Sequence, residues 1–351
     1  MRQCCCPPIP KKPLRQRWKS VNRSLLIDPS YPVVSRKPAM LTIATFNLCN
    51  LGADASPKRL ERLGAIVVDE LGVPDILAVQ EIAVPSRWVV DGPVPADETY
   101  QALIEAISVA GGPGYDFREV APLAQQDGGM VGANIRVGLL FNPARLGFPD
   151  RGQAGPDDRA GILFSEGHPQ LTLNPGRIDP LHPAFTGDDH CHWMPSRKAL
   201  AAEFAWEGQR LFVIVCHLKS MRSQVRREAD YAKKQRHVQA EIVQGFAADL
   251  LACDPQAVVV VLGDLNDIPG SKTLKLLKGK LFHNLLDDLP HQHCYTRRHG
   301  HQPQALDHIL VSPALRHGAT VRIPHLHSDA APGGPIPASD HDPVVAVLEV
   351  S

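Results

Sequence analysis

The chain has 351 residues, 44% of them hydrophobic, with 37 basic and 37 acidic side chains and a formal net charge of zero. That length and apolar content suffice for one large core or two modest ones. The charge balance excludes a global basic field for nucleic acid, so any such surface is local, and no apolar run reaches the roughly 20 residues needed to span a bilayer.

Residues 1–40 are rich in Pro, Lys, Arg and Ser without a sustained period, and read as a flexible N-terminal extension. The opening MRQCCCPPIPKKPLRQRWKS lacks the apolar stretch of a secretory signal, so the chain as written is expected in the cytoplasm. A start further upstream would make it a secreted protein. Cys4–Cys6 read as reactive thiols in an unstructured tail, in preference to an acylation site. The eight cysteines show no zinc-type pairs, and Cys216 and Cys253 read as small apolar side chains.

The folded part, 41–351, opens with LTIATF, a strand from Leu41 to Phe46. PKRLERLGAIVVDEL has apolar residues at helical spacing, with Ser56 as its N-cap. DILAVQE predicts a short buried strand, and ADETYQALIEAISVAGG a helix closed by glycines. YDFREV and IRVGLLF are strands, while 149–195 is irregular and has room for a hairpin. KALAAEFAW and RLFVIVCH form a hairpin across EGQ. A long helix over Gln224 to Leu251 precedes the strand VVVVLGD, and SKTLKLLKG is a short helix. ALDHILVS, ATVRI and PVVAVLEV are the last strands. Irregularly mixed strands and helices, with adjacent antiparallel pairs, favour an α+β sandwich of two sheets with outer helices over a doubly wound parallel sheet.

Polar residues close these apolar strands repeatedly. Asn47 follows Phe46, Glu81 follows ILAVQ, His217 follows VIVC, and Asp264 and Asn266 follow VVVVLG. In SDHD, Ser339 to Asp342, the order reverses, and a strand running the other way brings its start to the same rim. Hard oxygen donors gathered this way suit Mg²⁺, or Mn²⁺ or Ca²⁺, in preference to zinc. Histidines beside them supply proton transfer, which fits phosphoester hydrolysis.

TFN, VQE, CHLKS, GDLND, LDHILVS and SDHDPV, in this order, resemble the endonuclease/exonuclease/phosphatase superfamily over about residues 41–350. Its members include pancreatic-type deoxyribonucleases, abasic-site endonucleases, neutral sphingomyelinases and inositol polyphosphate phosphatases. PSRKALAAEFAWEGQRLFVIVCHLKS further resembles the bacterial extracellular nucleases of this superfamily. The resemblance implies a four-layered α/β sandwich, two packed mixed sheets flanked by helices. It implies that Glu81 and Asn47 hold the metal with Asp264 and Asp340 close by, and that Asp264 and Asn266 orient the phosphate and nucleophile. His341, paired with Asp307, would contact the phosphate or act as base. His217 would be the second catalytic histidine, and Glu119 stands where the deoxyribonuclease branch has the glutamate that orients it. Arg197 matches a phosphate-contacting arginine. The abasic-site branch has tyrosine where His217 stands, which argues against that branch.

Other features carry less. The His-rich stretches DDHCHW and HQHCYTRRHGH match no metal template and read as polar loops, with Thr296 in the second placed to reach the phosphate. Seven basic residues lie between Lys219 and Arg236, and Lys219 and Arg222, nearest His217, are the candidates for phosphate-backbone contact. The expected activity is a metal-dependent phosphodiesterase, a nuclease on DNA or RNA, with no obligate protein partner evident. The alternative is a sphingomyelinase-like or inositol-phosphate-type phosphoesterase, disfavoured because no loop carries adjacent Trp or Phe for a membrane.

Overall fold

The computed structural model of the protein describes residues 39–84, 92–128, 134–221, 225–299, 302–326 and 337–350. The expected extension lies outside these, apart from its last two residues, as do Cys4–Cys6 and Arg222. In chain order the elements are β1 (Ala39–Leu51), α1 (Pro57–Ala65), β2 (Ile76–Ile82), α2 (Asp97–Val109), β3 (Asp116–Arg118), β4 (Arg136–Phe141), β5 (Ile162–Ser165), β6 (His168–Leu171) and β7 (Gly176–Arg177). Then come α3 (Pro183–Thr186), β8 (Leu200–Trp206), β9 (Gln209–His217), α4 (Arg226–Cys253), β10 (Val258–Asp264), α5 (Lys272–Lys278) and β11 (His283–Asn284). The last are β12 (Arg297–His299), β13 (Gln302–Gln304), β14 (Asp307–Val311), β15 (Thr320–Arg322) and β16 (Val344–Val350).

Two six-stranded sheets hold most of these strands. Their orders are β15-β16-β1-β2-β4-β3 and β11-β14-β10-β9-β8-β7. Both sheets are mixed in the same way. Each has one parallel pair at its centre, β1 with β2 and β9 with β10, flanked by antiparallel neighbours. The segment 149–195 contains the anticipated hairpin, β5 with β6.

The strand VVVVL in β10 has no polar face because both of its faces are covered. Val258, Val260 and Leu262 point into the core between the sheets, beside Ile43, Leu139, Phe204 and Ile309. Val259 and Val261 point outward against Val243, Ala247 and Leu250 of α4 and Leu274 of α5. The first sheet does the same, with Ala44, Phe46, Leu77 and Val79 packed on Leu63, Leu103 and Ile107 of α1 and α2. Alternate residues of one strand therefore serve two cores, and the layers run helix, sheet, sheet, helix. α1 starts where its sequence says. Ser56 Oγ accepts from Arg59 N at 3.4 Å and Pro57 takes the first turn. Among the described residues, no helix is long and apolar enough to cross a membrane.

Candidate active site

The two parallel pairs deliver their C-terminal ends to one rim. Asn47 is the last residue of β1 paired with β2 before their register shifts, and Glu81 stands in the bulge. In the second sheet His217, Asp264 and Asp307 stand side by side on β9, β10 and β14. β10 reaches this position through Gly263, whose φ of +133° and closeness to the Cys216 carbonyl leave no room for a side chain. Glu81 and Asn266 both hold positive φ, 59° and 51°. Such backbone settings cost about 1–3 kcal/mol each and persist where the surroundings enforce them.

Asp264 is the meeting point. Its Oδ2 accepts from Asn47 Nδ2 at 3.1 Å, from across the sandwich, and from Asn266 Nδ2 at 3.1 Å. His217 Nε2 is 3.3 Å from the same oxygen and 3.9 Å from Glu81 Oε1. Asp264 Oδ1 accepts from Asn266 N at 2.9 Å. Burial opposes the Asp264 charge, but His217, His341 and the Asn266 N–H together hold its carboxyl well below the usual range. Asn47 Nδ2 also meets Glu81 Oε1 at 3.3 Å, and Glu81 Oε2 accepts from Asn50 N at 3.0 Å.

His341 lies against Asp307, with Nδ1 donating to Oδ2 at 2.7 Å. Burial works against its imidazolium, yet the charge and hydrogen bond of Asp307 hold its pKa up at about 9. His217 is set the other way. Burial and then the charge of Arg197 push its pKa down, against the pull of Asp264 and Glu81, and its buried Nδ1 has no partner among the described residues. One histidine is thus kept as a proton donor and the other as an acceptor, on the two sides of one ionised carboxylate.

Several expected residues sit elsewhere. Glu119 is not against His217. It accepts from Ala96 N at 3.0 Å and faces Arg136 Nη1 at 3.5 Å, and among the described residues it has no bond to His217. Thr296 turns inward, donating to Asp307 Oδ2 at 2.6 Å and accepting from Leu306 N and Asp307 N, so its hydroxyl braces the dyad and does not face a phosphate. Arg197 is buried, with Nη2 on the Leu218 carbonyl at 2.7 Å and, among the described residues, no partner for Nε. It underlies the His217–Lys219 segment and does not open to solvent. Asp340 pairs with Arg297 at the rim. Lys219 is half-buried, its backbone N–H held by Gln239 Oε1 at 2.8 Å, and burial followed by the charge of Arg197 lowers its pKa to about 8.

Two residues escaped the sequence reading. Ser339 Oγ donates to the Asn47 carbonyl at 2.6 Å and accepts from His341 N at 3.1 Å, tying β1 to the histidine loop. Its place just before Asp340 and His341 was the available signal. Arg59 clamps the carbonyls of Leu48, Cys49 and Ala338 from α1, a long-range role that no local pattern marks.

Two acidic groupings compete for a metal. Asp264, Asp307 and His341 place one ligand atom each within 4.8 Å of one another. In that trio the Asp307–His341 hydrogen bond already engages one oxygen and one ring nitrogen. Glu81, by contrast, is partly open, and among the described residues no lysine or arginine pairs with it. Glu81 and Asp264 add two carboxylates with hard oxygen donors, a set that fits Mg²⁺, Mn²⁺ or Ca²⁺.

A model of the endonuclease/exonuclease/phosphatase family matches residues 44–341. No curated protein matches the sequence. Among solved structures, truncated Caenorhabditis elegans TDP2 is similar at 14% identity and a TM-score of 0.54, over 89% of this chain and 98% of that one. D. rerio TDP2 complexed with a single strand DNA product is similar at 16% identity and a TM-score of 0.51, over 89% and 100%. A Bacteroides thetaiotaomicron mannosyl-6-phosphatase is similar at 16% identity and a TM-score of 0.54, over 88% and 99%. At these identities the likeness establishes the fold.

Proposed function

Since the chain belongs to the endonuclease/exonuclease/phosphatase family, we propose that it is a divalent-metal-dependent phosphodiesterase, a nuclease acting on DNA with RNA as a further substrate. The observation that carries this reading is Asp264, bonded by Asn47 from one sheet and Asn266 from the other, with His217 and the Asp307–His341 pair around it. A divalent ion held by Glu81 and Asn47, with Asp264 and Asp340 beside it, would supply Lewis-acid charge neutralisation on the phosphoryl oxygens.

The remaining chemistry belongs to the chain. Water attacks phosphorus in line with the leaving oxygen. His217, kept neutral beside Asp264, takes the proton of that water. Asn266 and Asp264 orient the nucleophile and the phosphate. His341, charged and braced by Asp307 and Thr296, gives a proton to the leaving oxygen. A diester with an alkoxide leaving group needs both transfers, and two histidines of opposite protonation provide them. Lys219, two residues beyond His217, adds positive charge for the neighbouring phosphate.

The test is hydrolysis of plasmid, linear duplex, single-stranded DNA, RNA, a choline phosphodiester and mannose 6-phosphate, each with Mg²⁺, Mn²⁺, Ca²⁺ or excess chelator. Metal-dependent cleavage of nucleic acid is expected. Turnover of the sugar monoester or the choline diester alone would overturn the nuclease reading.

A further inference from the structure

Beside the catalytic residues lies a cavity of about 650 Å³ that the mechanism above does not use. That size is within the ~300–1,000 Å³ typical of small-molecule sites. One wall is the 189–194 loop, with Asp189, His192, Trp193 and Met194, and the other is the start of α4, with Arg227, Glu228 and Tyr231. Lys219 lines the cavity too, and so joins it to the strand end that bears His217.

The walls are fixed. Gln235 Nε2 on α4 donates to the carbonyls of Ala184 at 2.9 Å and Met194 at 2.7 Å. One helical turn on, Gln239 Nε2 donates to Ala184 O at 2.8 Å while its Oε1 accepts from Lys219 N. Two buried amides thus pin the loop, the helix and the Lys219 segment together. The lining carries aromatic rings. The His192 and Tyr231 rings lie 4.6 Å apart, and the Arg227 guanidinium stands 5.6 Å over Tyr231 with Nε on its hydroxyl at 2.6 Å. Trp193 is half-buried, and Met194 exposes 63% of its surface there.

We propose that this cavity receives an unpaired nucleobase next to the scissile phosphate, which makes single-stranded nucleic acid the preferred substrate. The proposal rests on the nuclease reading and narrows its substrate class. Aromatic rings and a guanidinium plane are the surfaces on which bases stack. Asp189 and Glu228 on the rim repel a phosphate but accept hydrogen bonds from exocyclic amines of a base. The phosphate is left to Lys219, on the catalytic side of the cavity. A base held in a stacked duplex cannot enter, so pairing at this position must be broken first.

The test uses the full chain and a short single strand with one cleavable phosphodiester, the other linkages being made resistant. Cleavage is followed with Mg²⁺ or Mn²⁺, and binding by anisotropy in excess chelator. Removing the base on one side of the cleavable phosphate, to leave an abasic site, should lower both affinity and kcat/KM about tenfold, as loss of one stacked base does. Trp193→Ala should cost the same factor on the intact strand and nothing more on the abasic strand, while Trp193→Phe keeps the wild-type rate. Pairing the strand with its complement should slow cleavage by a similar factor. Equal rates on intact and abasic strands, or losses from Trp193→Ala and base removal that multiply, would overturn the proposal and leave the nuclease reading standing. Failure to cleave or bind any nucleic acid removes both.

Discussion

Asp307 Oδ2 lies 2.7 Å from His341 Nδ1 across 34 positions of sequence, with both side chains buried. The carboxylate fixes the tautomer of the ring and stabilises its charged form, while Thr296 holds the same oxygen. Asp307→Asn keeps the shape and removes the charge. The variant is expected to fold and bind metal normally, with turnover lower by about 10²–10⁴-fold, the range for lost general acid–base or triad function. Steady-state kinetics with a parallel metal titration check this, and wild-type turnover in Asp307→Asn would eliminate the dyad.

Glu81 is a partly open carboxylate at the end of β2. Its Oε2 takes the Asn50 N–H, and its Oε1 faces Asn47 Nδ2 and His217. Glu81→Gln preserves an oxygen for Asn50 but loses the charge that would hold a divalent ion. The expected result is a stable protein whose apparent affinity for Mg²⁺ or Mn²⁺ falls by about tenfold or more, comparable to losses from altering groups around metal ligands. Excess chelator should stop the wild type entirely. Full turnover in chelator would remove the metal from the reading.

The sandwich was legible because its strands are almost wholly apolar and punctuated by polar ends. The run from Val258 to Leu262 announces a strand covered on both faces, and Asp264, His217 and Glu81 mark where strands leave the core. Partner choice was not legible. Glu119, expected inside the strand YDFREV, falls just after β3, and Arg136, at the start of the adjacent β4, and Ala96 N claim it. A buried guanidinium needs a counter-charge, and no sequence spacing shows which carboxylate faces it. Arg197 and Thr296 show a related limit. Each has the right chemistry for a phosphate, and each bonds a buried carbonyl or carboxylate that no spacing in the sequence marks. His308 shows the limit of strand alternation. It points away from Asp307 as period two requires, but it is buried on the carbonyls of Asp267 and Ala305, so replacing it disturbs the loop behind Asp264.

Lys219 is expected to contribute one phosphate contact, and its pKa of about 8 makes that contribution depend on pH. Its charge is present below that value and is lost as pH rises through it. At pH 7 the slope of log affinity against log salt should become shallower in Lys219→Ala by about 0.9 on duplex DNA or about 0.7 on single strands. At pH 9 the wild type and the variant should give nearly the same slope. Anisotropy titrations in chelator at the two pH values measure both. A slope that the substitution leaves unchanged at pH 7 would show that Lys219 contacts no phosphate.

Gly263 sets the spacing between His217 and Asp264. It pairs with Cys216 in the parallel ladder, one position before Asp264 pairs with His217. With φ at +133°, a Cβ would stand 1.9 Å from the Cys216 carbonyl oxygen and 2.9 Å from its carbon. The obstacle is backbone in a central strand, so no side chain can rotate to relieve it. Gly263→Ala must part β9 from β10 or twist the end of β10, and either widens the 3.3 Å contact between His217 and Asp264. A loss of roughly 3 kcal/mol or more in stability is expected, above the cost of an unfavourable φ alone. Gly208 is the control. It also has positive φ, +79°, in the turn between β8 and β9, but a Cβ there meets nothing within 4 Å. Gly208→Ala should cost only about 1–2 kcal/mol, the price of the left-handed backbone. Urea midpoints of the two variants separate clash from strain, and turnover should fall in Gly263→Ala alone. Equal midpoints would mean that the closeness of Gly263 to Cys216 does not hold His217 and Asp264 in place.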